Sequence, residues 1–187
     1  MKLIGMSVNK KNCMKKAFFL FVILASLLFA KAQQPPAGRP CAVNPVYRFF
    51  DFWIGDWEAF GPGNKKAGDS KIELILDSCV ILENWTSATQ GYMGKSMNTF
   101  NVQTGMWQQT WIDNKGGMTE YVNSKWEKDK MIVTTRNEKQ KDGTYKIMRM
   151  TFNRLSDDKV RQFGESSADE GKTWKTDFDL EYRRRKG

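Results

Sequence analysis

Three carboxylates stand beside aromatic residues in this sequence: Glu83 two before Trp85, Asp113 two after Trp111, and Glu165 two after Phe163. Two such acids held about 5–9 Å apart can protonate a leaving group and activate a nucleophile, as glycosidases do. The simpler role for a strand carboxylate is to face solvent or to pair with arginine, and Arg149 and Arg161 are available. The chain has no histidine. Ser-His-Asp triads, Cys-His dyads, imidazole zinc centres and His-ligated haem are therefore excluded. No catalytic residue, metal ligand or cofactor is assigned on this basis.

A second constellation mixes amides with rings. Trp107, Gln109 and Trp111 alternate, so an extended strand puts all three on one face and Gln108, Thr110 and Ile112 on the other. A neutral amide buried without partners costs about 1–3 kcal/mol. Gln109 thus needs Asn98, Gln162, water or a ligand beside it. Trp85, Trp107, Trp111, Tyr121, Trp126, Phe152 and Trp174 are many large rings for one domain. They read first as core. They also suit a cavity whose apolar walls carry a few polar groups, the usual build of a small-ligand site. The expected site, in the mouth of a barrel, is Trp85, Asn98, Gln109, Trp111 and Gln162, walled by Trp85, Trp107 and Trp111. Its expected occupant is a small apolar or aromatic molecule.

The elements that must position these residues are short strands. Turn residues recur at Gly61-Pro62-Gly63, Gly91, Gly94, Gly105, 114–117, Asp142-Gly143, Asp157-Asp158 and 169–171. Between them lie about ten strands, near 53–60, 70–77, 80–87, 95–102, 106–113, 117–124, 130–137, 144–153, 158–166 and 173–183. After residue 32 no segment sustains a 3.6-residue period. The expected fold class is all-β, an antiparallel barrel. The last strand alternates best: Trp174, Thr176, Phe178, Leu180 and Tyr182 against Thr173, Lys175, Asp177, Asp179 and Glu181. The second puts Ile72, Leu74 and Leu76 opposite Lys71, Glu73 and Asp77; the ninth leaves its phase open. At the start, Phe49-Phe50-Asp51-Phe52-Trp53-Ile54-Gly55-Asp56-Trp57 packs five rings into nine residues. Such a burst must be buried, and Gly-x-Trp at a strand mouth suits a ring that plugs a barrel end. Ser167-x-Asp169-x-Gly171-x-x-Trp174 matches an Asp-box hairpin. Propellers repeat that motif; here it occurs once and reads as a turn. Asn84-Trp85-Thr86 is a formal glycosylation sequon inside a strand, read as coincidence.

The N-terminus reads as an export signal over 1–32. Basic residues precede an apolar run at 17–30, and Ala30-Lys31-Ala32 is a small-x-small cleavage pattern. The run is shorter than the roughly 18–20 residues that span a bilayer, so no membrane anchor is expected after cleavage. The net charge of +9 falls with it: six lysines leave, and 24 basic against 21 acidic residues give +3. A nucleic-acid partner is not expected from so small an excess. Residues 33–48 form a proline-rich leader, extended at first with one helical turn near its end, and 49–187 form the barrel domain. Cys13 leaves with the signal; Cys41 and Cys79 remain as an even pair in an oxidising compartment, periplasmic or extracellular, and should bridge.

Several blocks together resemble a bacterial family of exported proteins built on a lipocalin-like (calycin) β-barrel. They are Phe50-Asp51-Phe52-Trp53-Ile54-Gly55-Asp56-Trp57, Ser78-Cys79-Val80-Ile81-Leu82-Glu83-Asn84-Trp85, Gly94-Lys95-Ser96-Met97-Asn98, Trp107-Gln108-Gln109-Thr110-Trp111-Ile112-Asp113, Val160-Arg161-Gln162 and 167–174. The resemblance runs from Phe49 to the end. It implies a fold and an exported state, and no activity. The Gly-x-Trp opening is more distantly similar to haem-binding barrels, but the chain offers no histidine for the iron. Calycin-like barrels often stack an arginine of the last strand on the Gly-x-Trp indole. The phase of Tyr182 makes Arg184 the first choice over Trp57 and Arg183 the second. Three functions remain open: an exported binding protein, a carboxylate-dependent hydrolase or isomerase in the same cavity, or a filled barrel that serves interaction. Oligomeric state is left open.

Overall fold

The structure, a computed structural model, describes residues 38–186; the expected signal and the first part of the leader lie outside them. The fold is all-β. Twelve strands run in chain order: β1 Gly55–Gly61, β2 Lys65–Ile75, β3 Val80–Ser87, β4 Met93–Asn101, β5 Met106–Asp113, β6 Met118–Tyr121, β7 Asn123–Glu127, β8 Lys130–Thr134, β9 Glu138–Lys139, β10 Tyr145–Ser156, β11 Lys159–Ser167 and β12 Lys175–Arg184. Eleven form one antiparallel path, β6-β5-β4-β3-β2-β1-β12-β11-β10-β8-β7, and β9 pairs only with β10.

The path curls into a nearly closed barrel, and the seam explains one difference from the sequence reading. The single strand expected at 117–124 is two. β6 pairs with β5 up to Gln109 and Tyr121, whereas β7 pairs with β8 from Asn123 and Thr134. Between them the chain changes partner: Val122 N–H donates to Thr134 O at 2.9 Å. Side chains bridge what the ladder leaves open. Trp107 N–H donates to Ser124 Oγ at 2.8 Å, and Gln108 Nε2 to Val122 O at 3.3 Å. A barrel has few free strand edges to aggregate, and here the last edge is closed by side chains.

Other departures are local. The first strand begins at Gly55, because Asp51–Trp53 turns as a 3₁₀ segment. β2 ends at Ile75; Leu76, Asp77 and Ser78 all take positive φ, which turns Leu76 out to 71% exposure instead of leaving it beside Ile72 and Leu74. Trp174 is not on the inward face of the last strand. A bulge opposite Gly164 and Glu165 inserts Asp177 and reverses the phase. Trp174 lies outside instead, with the Arg149 guanidinium 3.9 Å from its ring centre. The hairpin before it is built by the Asp-box: Asp169 accepts from Thr173 N–H at 2.8 Å and Thr173 Oγ1 at 2.6 Å, and Trp174 Nε1 donates to Gly171 O at 3.0 Å. Asn84 sits in β3 with Lys95 Nζ 2.6 Å from its amide oxygen.

One end of the barrel is plugged. A helical turn, Pro40–Val43, and a 3₁₀ turn, Pro45–Arg48, lead into the aromatic burst. Phe50 enters the barrel and meets Phe152 at 4.8 Å, Trp53 at 5.1 Å and Trp107 at 5.8 Å between ring centres. Trp57 Nε1 donates to Trp53 O at 2.9 Å. The Cys41–Cys79 disulfide ties this segment to the β2–β3 turn across 38 residues of sequence. Such a bridge belongs to an oxidising, extracytoplasmic environment. No helix among the described residues is long and apolar enough to cross a membrane.

Arg184 caps the plug. Its guanidinium carbon lies 4.2 Å from the Trp57 ring centre, and its Nε and Nη1 donate to Asp157 O at 3.1 Å and Ile54 O at 3.2 Å. Gly55 makes room: its φ is +151°, and a Cβ there would lie 2.2 Å from Arg184 Nη1. Arg183 points outward over Phe60. Arg184→Ala should cost about 0.5–2 kcal/mol of stability, read as a lowered urea midpoint, with Arg183→Ala costing less. The opposite order would show that stacking on Trp57 is not what closes this end.

Candidate functional site

The other end of the barrel is hollow. A cavity of about 420 Å³ opens there, walled by Trp85, Trp111, Tyr121, Met148, Met150, Phe178, Leu180 and Tyr182, with Tyr92, Asp113, Gly117, Met118 and Thr119 lining it as well. Glu83, Gln109 and Gln162 add polar side chains at its inner end.

The cavity stays open because three of its rings lie against glycines of the neighbouring strand. Trp85 lies over Gly68, Trp111 over Gly94 and Phe178 over Gly164; a Cβ at these glycines would come within 2.6, 2.4 and 2.3 Å of the respective rings. A larger residue would tilt each ring into the empty space. The missing side chains let the rings line the wall instead of filling the barrel.

Between the cavity and the aromatic plug runs one hydrogen-bonded belt. Gln109 Nε2 donates to Asn98 Oδ1 at 2.7 Å, and Asn98 Nδ2 donates to Ile81 O at 3.1 Å and Ser96 Oγ at 3.0 Å. Ser96 Oγ donates to Glu83 Oε2 at 2.9 Å, and Ser70 Oγ to Glu83 Oε1 at 3.0 Å. Across the barrel, the Tyr182 hydroxyl lies 3.4 Å from Glu83 Oε1 and donates to Gln162 Oε1 at 2.8 Å, while Gln162 Nε2 reaches Met150 Sδ at 2.9 Å. Each member comes from an inward position of β2, β3, β4, β5, β10, β11 or β12, so the barrel itself sets their spacing.

Of the residues expected at a ligand site, Trp85, Gln109, Trp111 and Gln162 line the cavity. Asn98 does not; it stands behind Gln109, and its amide is taken up by Gln109, Ile81 and Ser96. Trp107 is not a wall either. It packs on Phe50 in the plug, where its Nε1 donates to Val46 O at 3.1 Å. Ile112 faces outward, opposite Trp111. Ser70, Ser96, Met148 and Met150 were not singled out from the sequence. Ser70 and Ser96 each precede a buried residue, Ile72 and Asn98, by two, and that spacing alone marks them as inward.

The three carboxylates part company. Glu165 lies on the outer face, paired with Arg149 Nη2 at 2.8 Å, and does not line this cavity. Asp113 stands at the rim and holds a turn: Lys115 N–H and Gly117 N–H donate to it at 2.8 and 2.9 Å, and these bonds, with Gly117 first, hold its pKa below the usual value. Glu83 alone is sealed in, at 2% exposure. Burial pushes its carboxyl up to about 7, against the lowering effect of the Ser96, Ser70 and Tyr182 hydroxyls.

That shift makes stability depend on pH. Unfolded, the carboxyl titrates near 4.5; folded, near 7. The native state therefore holds a proton that the unfolded chain has lost between these values. The contribution of Glu83 is fully present below pH 4.5, declines as pH rises to 7, and is absent above. It amounts to about 3 kcal/mol. Glu83→Gln should match the wild type at pH 5 and exceed it at pH 8, as urea unfolding at the two values would measure. Asp51, raised by burial, acts in the same direction but cancels in this comparison. An equal pH dependence in both proteins would place the titration elsewhere.

No family model and no curated protein matches this chain.

Proposed function

We propose that the protein is an exported binding protein that holds a small, partly apolar molecule in the open mouth of its barrel. The volume, about 420 Å³, lies within the usual range of small-molecule sites, about 300–1,000 Å³. The observation that carries the reading is Gln109. The residue is 2% exposed and lines the cavity with Trp85 and Trp111, with its nitrogen spent on Asn98 and its oxygen without a donor among the described residues. An acceptor that has no donor and opens onto an aromatic pocket is poised to take a hydrogen bond from a ligand. The Cys41–Cys79 bridge and the apolar run at 17–30 support a periplasmic or secreted protein.

Protein purified under native conditions should carry a ligand detectable by mass spectrometry. Tryptophan fluorescence should respond to at least one class among fatty acids, sterols, porphyrins and small aromatics. Gln109→Leu should weaken that ligand by about 1–2 kcal/mol, or roughly 5–30-fold. An unchanged affinity would move the site away from Gln109. A blank screen with no co-purifying ligand would reject the reading.

Glu83 supports a second reading. A carboxyl near neutrality at the floor of a cavity suits general acid or base catalysis by a hydrolase or isomerase. Turnover abolished in Glu83→Gln would establish it. The cavity volume speaks against a filled barrel that serves interaction alone.

A further inference from the structure

The charge inside the cavity is one-sided. Among the described residues its lining carries two carboxylates, Glu83 and Asp113, and no lysine or arginine. Six rings surround that space: Trp85, Tyr92, Trp111, Tyr121, Phe178 and Tyr182. The face of an aromatic ring carries negative potential, to which a cation is drawn and an anion is not. Glu83 receives hydroxyls from Ser70 on β2 and Ser96 on β4, with the Tyr182 hydroxyl of β12 beside it, and none of these groups carries a charge. An ionised carboxylate at 2% exposure without a counter-charge is costly, and a positive group in the cavity removes that cost. The basic side chains nearest to Glu83 in sequence are occupied elsewhere, Lys71 with Glu73 and Lys95 with Asn84 on the outer face, and Lys115 acts on Asp113 at the rim. A ligand carboxylate or phosphate would meet two acids and no base.

We propose that the cavity selects an organic cation, a protonated amine or quaternary ammonium on an apolar or aromatic body, with Glu83 as its counter-charge and the rings of Trp85 and Trp111 packed around it. This rests on the binding-protein reading and names its ligand class. Gln109 Oε1 then accepts a hydrogen bond from a primary or secondary ammonium.

The test uses probes of one shape and different charge: phenethylammonium, N,N,N-trimethylphenethylammonium, phenethyl alcohol and 3-phenylpropanoate, titrated against the full mature chain by tryptophan fluorescence and calorimetry at pH 8. Both cations should bind at least tenfold more tightly than the alcohol, and the anion should not bind. In Glu83→Gln the cation-to-alcohol ratio should collapse toward one. A wild-type measurement guards against a misfolded variant. The affinity of the quaternary probe should rise at least fivefold from pH 5.5 to pH 8. Its own charge is fixed. Asp113 is held ionised by its turn, and the Tyr92, Tyr121 and Tyr182 phenols are pushed up by burial, so Glu83 is the group that changes in this window. Alcohol and cation binding equally, or the anion binding best, would overturn the cation assignment and leave the binding protein standing. No binding by any probe, together with a blank ligand screen, would overturn both.

Discussion

Trp53→Ala is expected to cost about 3–5 kcal/mol of stability, the range for removing a large ring from a sealed core. Trp53 is 0% exposed and lies at the centre of the plug, with Phe152 at 4.6 Å, Phe50 at 5.1 Å and Tyr182 at 6.2 Å between ring centres. Its backbone carbonyl also anchors Trp57 Nε1, so a collapse here spreads to the ring that Arg184 covers. The indole N–H of Trp53 has no partner, one of three such buried atoms among the described residues, with Arg48 Nε and Asp51 Oδ1. Trp53→Phe removes that orphan donor, worth about 1–3 kcal/mol, while it leaves a smaller void. It should therefore cost far less than the alanine variant. Urea unfolding of the three proteins measures both differences. A loss below about 1 kcal/mol in Trp53→Ala would mean that the plug does not hold the barrel together.

Replacing Cys41 and Cys79 with serine should cost about 3–4 kcal/mol, the chain-entropy value for a loop of 38 residues. The bridge is not the segment's sole tie. Arg48 Nη2 donates to Ser78 O at 2.7 Å beside it, and Tyr47 packs on Phe100 at 5.5 Å. Without the bridge the fold should survive while the segment before Phe50 opens first. Hydrogen exchange would show this as faster exchange at 42–48 than in β10 and β11. Equal loss of protection in both regions would mean that the bridge stabilises the whole barrel and not its end. Titration of protein lacking residues 1–32 under denaturing conditions should find no free thiol.

The two ends of the barrel differ in how legible they were. The closed end was readable because its signal is local. Five rings within nine residues cannot remain in water, and Gly55 and Trp57 two apart imply a close approach beside a plugging ring. The phase of Tyr182 carried through to Arg184, because no bulge separates them. The cysteine pair needed only its even count after residue 32. Strand alternation likewise placed Gln109 and Trp111 on one inward face.

Alternation fails wherever the ladder slips, since one extra residue flips every side chain beyond it. Asp177 is such a residue, and it put Trp174 outside. Three successive positive φ values did the same to Leu76. The split of β6 from β7 follows from a change of pairing partner, and partners are a property of the closed barrel. Depth was equally invisible. The alternation that put Gln109 and Asn98 inward does not say which of two inward residues meets the cavity and which stands behind. The amino-acid order alone determined an all-β chain with a plugged, bridged end and polar residues among inward rings. Only tertiary structure decided that Glu83, Ser70, Ser96, Tyr182 and Gln162, drawn from five strands and up to 112 positions apart in the sequence, meet in one belt. It also decided that glycines beneath Trp85, Trp111 and Phe178 keep the space above that belt empty. Periodicity sets the face of each strand, but closure of the barrel sets which faces meet and how much room is left between them.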